Sequence, residues 1–169
     1  MKNAFLLVLA AICLSTTAMA QPASPAATAT GRIGEANVTV KYSSPRVKGR
    51  QVWGALVPYD KVWRAGANAA TVIETDKDLT VEGKKLPAGK YSVYAIPGQN
   101  EWTIIFNSQT GQWGITRQGE TTLDPSKDVL RVNVKPVKSA TLQEELKYDV
   151  NASNISLSWE NLVVPISVK

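Results

Sequence analysis

Apolar residues in this chain recur at every second position in short runs cut by Gly, Pro, Asn and Asp, and this pattern points to strands throughout. Val38, Val40 and Tyr42 share one parity against Asn37, Thr39 and Lys41; Leu130, Val132 and Val134 alternate with Arg131, Asn133 and Lys135. A period of two places one set of side chains on one face of a strand, the other set facing away. Ala70 to Thr75 reads as a further strand. Leu79 and Val81 precede a turn at Gly83-Lys84-Lys85, a hairpin signature. Lys90 to Ile96 is apolar on both parities, as a central strand is, and Pro97-Gly98-Gln99-Asn100 turns it into Trp102 to Phe106. Leu142 and Leu146 also suit a helix, but the alternation runs on through Tyr148 and Val150 and favours a strand. Ile155, Leu157 and Trp159 are odd-numbered whereas Val164, Ile166 and Val168 are even, so a bulge or tight turn is expected within 160–162. About eight or nine short strands without a recurring helix predict an all-β fold of two packed antiparallel sheets, a sandwich; a closed β-barrel is the alternative.

Lys2, the apolar run Ala4 to Leu14 and Ala18-Met19-Ala20 have the three parts of a cleaved secretory signal peptide, so residues 1–20 are expected to be removed. Ile12 stands before Cys13 where a lipoprotein signal needs a small residue, which argues against lipidation. After the signal no apolar run approaches the roughly 20 residues of a membrane span. The expected product is an exported protein, periplasmic or extracellular. Residues 21–30, QPASPAATAT, read as a flexible leader, and 31–169 as one β-sandwich domain. The single Cys lies in the signal, so the mature chain is expected to have no disulfide. With no histidine in the sequence, Ser-His-Asp and Cys-His catalysis and His- or Cys-ligated zinc fall away. Leaving Lys2 out of the 19 basic residues and setting the rest against 14 acidic ones gives a net charge of +4, mild and dispersed. The densest basic cluster, Arg46, Lys48 and Arg50, is broken by turn residues and reads as a solvated loop; nucleic-acid binding is not expected.

The stretch from Gly49 to Thr71 follows neither period yet concentrates unusual residues, and a site is expected there. Arg64 presents a fork of donors suited to a carboxylate, sulfate or phosphate, Asn68 would orient the ligand, and Trp53 or Trp63 would supply an apolar wall. Tyr59, Trp102 and Trp113 are candidates for an extended aromatic platform, although alternating aromatics more often belong to the core; Trp113, in a polar stretch, is expected to be exposed. The competing account makes Arg64 a fastener of loop carbonyls, with Trp53 and Trp63 plugging an open end of the sandwich. Asp76, Asp78, Thr80 and Glu82 have oxygen at every second position, but Val81 stands where a calcium loop needs Gly, so no metal site is expected and an exposed strand face is preferred. No cofactor fingerprint is present.

The segment from Tyr42 to Thr71 carries Ser44-Pro45, Gly49-Arg50, Trp53-Gly54, Leu56-Val57-Pro58-Tyr59, Val62-Trp63-Arg64 and Gly66-Ala67-Asn68 before Thr71. With Leu86 to Ser92, Ile96-Pro97, Trp102 and Trp159, it resembles the secreted bacterial family called domain of unknown function 2911. Such sequences often have a small residue after the position of Tyr59 and an acidic or polar one after Asn68; here stand Asp60 and Ala69. The resemblance implies an exported β-rich domain and brings no activity, ligand or catalytic residue.

The resulting expectation is a non-catalytic β-sandwich that binds a small, saccharide-like or anionic ligand, or an envelope partner, through residues 49–71. A hydrolase using two carboxylates drawn from Glu74, Glu101, Asp124, Glu144, Glu145 and Glu160 is the competing class, and a purely structural envelope protein the third.

Overall fold

The computed structural model describes residues 23–169; the expected signal peptide and its cleavage site lie outside them. Ten strands form: β1 (Ala26–Ile33), β2 (Ala36–Ser43), β3 (Thr71–Thr75), β4 (Leu79–Val81), β5 (Lys84–Leu86), β6 (Gly89–Ile96), β7 (Trp102–Asn107), β8 (Asp128–Val134), β9 (Val137–Val150) and β10 (Asn154–Ser167). One 3-10 turn, Pro125–Lys127, is capped by the Asp124 carboxylate. Among the described residues no helix is long and apolar enough to cross a membrane.

Six strands make an antiparallel sheet in the order β1-β2-β3-β6-β7-β8. The long β9–β10 hairpin forms the facing layer, and β4–β5, which interrupts the sequence between β3 and β6, is joined to its end by a bridge from Val81 to Val168. The sheets are not closed into a barrel, so the sandwich describes the fold. Its core is made by the inward parity of both layers: Val38, Val40, Ile73, Val132, Leu157 and Val164 are all buried. At about 25 cal/mol per Å² of apolar surface removed from water, such faces supply the main driving force for the sheets to stack. β6 is buried on both faces because a second, smaller cluster of Ala70, Tyr94 and Ile105 lies on the outer side, covered by Val62, Ile96 and Leu123.

β10 runs through the expected parity slip without ending. Its register against β9 shifts between Ser158 and Glu160 and again before Leu162, and Glu160 adopts a left-handed φ of 54°. The bulge keeps Trp159 and Val164 on the inner face although they have opposite parity.

Residues 26–30 are a correction to the expected flexible leader. They form most of β1, paired with β2 from Ala26 opposite Ser43 to Ile33 opposite Ala36. Ala and Thr bury little area, so hydropathy does not mark this strand; its main-chain hydrogen bonds to β2 order it. Small size is also required there. A Cβ on Gly31 would lie 2.5 Å from the Val150 carbonyl oxygen, so only glycine lets β1 pass beside β9.

Candidate functional site

Residues 44–70 leave the end of β2, cross the end of the sandwich and return to β3. Their first part pairs with the edge of β9: Val47 N–H donates to Glu144 O, Leu146 N–H to Pro45 O, and the Ser44 hydroxyl to Leu146 O at 2.6 Å. Turns then bring Val52, Trp53 and Val57 into the core. Further on, Trp63 exchanges backbone hydrogen bonds with Ala95 of β6, at 2.7 and 2.8 Å, just beyond the point where β3 stops pairing. That pairing delivers the Trp63 ring to the end of the core.

Four tryptophans meet there. Trp53 lies edge-on to Trp63, Trp102 and Trp159 at centroid distances of 5.8, 4.8 and 5.6 Å, and Trp63 stacks on Trp159 at 6.0 Å with an interplanar angle of 18°. The Trp63 indole donates to Gly66 O at 3.0 Å. The indole N–H groups of Trp53, Trp102 and Trp159 are buried and have no acceptor among the described residues. Buried donors nearly always find partners, so three orphans in one cluster mark a place where packing and polarity conflict.

The loop is held in conformations that L-residues rarely adopt. Lys48, Asp60, Ala65 and Asn68 all have positive φ, between 50° and 59°. Such residues persist where surrounding contacts over-determine them. Ala65, at φ 51° and buried, offers its carbonyl to the Tyr148 hydroxyl and the Thr71 hydroxyl, each at 2.9 Å. Burial pushes the Tyr148 hydroxyl well above its ordinary pKa, which keeps it a donor at neutral pH.

A cleft of about 330 Å³ opens beside the tryptophan cluster, within the roughly 300–1,000 Å³ of small-molecule sites. Trp63, Trp159, Val57 and Val62 contribute apolar surface, Leu56 and Pro58 a rim, and Ile115 and Gly119 bring the 108–124 loop to it. Arg50, Lys61 and Arg64 supply positive charge, and among the described residues no carboxylate or carboxamide side chain lines the cleft. Arg50 is folded onto its own loop, its Nε donating to Val47 O. Among the described residues the Lys61 ammonium makes no ion pair or hydrogen bond. Arg64 donates one hydrogen bond, at 3.2 Å, to Trp113 O, and its guanidinium stands 5.8 Å from the Trp113 ring centroid. Burial lowers the Arg64 pKa from its ordinary value while Tyr94 opposes the shift; a guanidinium remains charged under such conditions. A broader groove of about 500 Å³ beside β9 contains charges of both signs, and its Glu145 and Lys147 are already paired with Arg46 and Asp149.

Of the five expected site residues, Arg64 and Trp63 line this cleft. Trp53 lies buried behind them, and Tyr59 packs against the core with its ring over Gly54. The Asn68 amide donates to Ser24 O at 3.0 Å, tying the N-terminal segment to the loop. Trp102 is fully buried, a core residue rather than a platform, whereas Trp113 is 57% exposed, as expected of it. Lys61 and Trp159 were not among the expected site residues. The first is an unremarkable surface lysine in sequence and the second an ordinary inward strand residue; neither carries a local signal. Arg50 read only as part of a solvated basic cluster. Among the described residues no group of three or more Asp, Glu, His or Cys is placed to hold a metal; Asp76 instead accepts from Asn37 and Asp78 pairs with Lys85.

A sequence model of the family described as Protein of unknown function (DUF2911) matches residues 24–168. No curated protein and no solved structure matches the chain.

Proposed function

This chain belongs to the DUF2911 family, and from that premise we propose that it is an exported, non-catalytic protein that binds a small anionic or saccharide-like ligand in the cleft beside Trp63 and Trp159. The observation that carries the reading is the cleft's composition: three cationic side chains over apolar and indole surface, with no carboxylate lining it among the described residues. Such a site attracts and orients an anion and gives it a flat surface to pack on. The strained loop that builds it also supports a binding role, because positive-φ residues gather where geometry serves something besides packing. Export rests on the signal-peptide pattern of residues 1–20.

Of the six carboxylates that would serve a hydrolase, four are engaged elsewhere, whereas Glu160 keeps one buried oxygen without a partner among the described residues. Glu101 accepts from Asn133, Asp124 caps the 3-10 turn, Glu144 accepts from Lys48 N–H and Glu145 pairs with Arg46. None of these lines the cleft, which favours binding over turnover. Equilibrium dialysis of the processed protein against mixed cell-wall fragments and organic acids tests the proposal: retention of a compound in unaltered form is expected. Retention of nothing, or release of a cleaved product, would overturn it.

A further inference from the structure

Resting on that cleft as a binding site, we infer its ligand class: an organic anion whose head group only accepts hydrogen bonds and whose body is apolar, rather than a neutral sugar. Among the described residues the charged and hydroxyl side chains that line the cleft are Arg50, Lys61, Arg64 and Ser24, beside the indoles of Trp63 and Trp159. Arginine, lysine and indole are donors without acceptor capacity, so among the described residues the Ser24 hydroxyl is the one acceptor that a lining side chain offers. A neutral saccharide presents hydroxyls that donate as well as accept, and carboxylates or carboxamides are the side chains best suited to take those protons. Among the described residues neither lines this cleft. A carboxylate, sulfate or sulfonate, by contrast, is acceptor-only and matches a wall of donors.

Two further observations bear on the ligand. Trp159 is 1% exposed and lines the cleft, and its buried N–H has no acceptor among the described residues, so its resonance reports on a ligand seated against the ring. Arg64 uses one of its five N–H donors on Trp113 O, leaving the others for a ligand. The body of the ligand is apolar by the same logic, since Val57, Val62, Ile115 and the Trp63 ring offer it no polar partner.

The test uses the processed full chain and matched probes: 4-phenylbutyrate, its neutral counterpart 4-phenylbutan-1-ol, and N-acetylglucosamine. The readout is the set of indole N–H resonances in proton–nitrogen correlation spectra, with W159F assigning the Trp159 signal. Phenylbutyrate should shift the Trp159 resonance saturably, bind about tenfold or more tighter than the alcohol, and weaken as salt is raised. K61Q, a change at an exposed position, should weaken it about threefold or more, and R64Q further if that variant folds. Equal binding of acid and alcohol, or a K61Q affinity equal to wild type, would overturn the inference. Movement of the same resonance by N-acetylglucosamine while phenylbutyrate is silent would also overturn it and leave the cleft as a binding site. Silence with all three probes would overturn both.

Discussion

Removing both hydroxyls that hold the Ala65 carbonyl should cost more than the sum of removing each. Ala65 lies next to Arg64, is 1% exposed and has φ 51°. Its carbonyl accepts from Tyr148 and from Thr71, both at 2.9 Å. Either Y148F or T71V alone leaves the carbonyl one donor, so each should cost only the net value of one hydrogen bond, about 1 kcal/mol. The double variant strands a buried acceptor in a strained turn, which adds a desolvation penalty of about 1–2 kcal/mol to the sum of the singles. The total is then about 3–4 kcal/mol. Urea unfolding followed by tryptophan fluorescence reads this directly, with unchanged m-values required for the comparison. Because burial keeps Tyr148 protonated, the coupling should not vary between neutral and mildly alkaline pH. Additivity within about 0.5 kcal/mol would refute the reasoning. It would mean that the loop relaxes to find another donor and that the positive φ of Ala65 is not imposed by these two bonds.

Arg64→Ala loses one hydrogen bond and a cation–π contact, about 1–2 kcal/mol together, and calorimetry should show a fall of about 2–8 °C; a fall of about 10 °C or more would make Arg64 chiefly a loop fastener and sink its ligand role. Gly114→Ala should destabilise by about 2 kcal/mol or more, since Gly114 has φ 91° and an added Cβ would stand 2.8 Å from the Arg64 Cβ; chemical denaturation that matches wild type would show that the 108–124 loop is free to shift. The Asp76 carboxylate is held below its ordinary value of 3.8, first by the Asn37 side-chain amide and then by the Asn37 backbone N–H. A depressed folded-state pKa gives stability that is present above 3.8 and lost as pH falls through the folded-state value. Asp76→Asn should therefore flatten the acid limb of the melting-temperature profile, and an unchanged limb would contradict the assignment.

Alternation is a local signal, and it was enough wherever a strand's partner is hydrophobic core. Val38 and Val40, Leu130 to Val134, and Leu146 to Val150 stand in the strands their parity implied, and the slip between Trp159 and Val164 became the bulge at Glu160. It failed at Ala26 to Thr30, where the residues are too small to mark a face and β2 supplies the order through its main chain. The loop 49–71 was recognisable as unusual because it has tryptophans, glycines and two arginines without a period. What that loop encloses was not recognisable. Trp159 comes from β10, Ile115 and Gly119 from another loop, and Lys61 looks like any surface cation until it stands beside Arg64 at the same opening. By itself, then, the sequence determined which residues face inward and where the chain turns, because side-chain direction in a strand depends only on neighbours two positions away. Tertiary structure alone decided which tryptophans meet and which donors face one cleft, since that depends on which distant segments the two sheets bring to the same end of the sandwich.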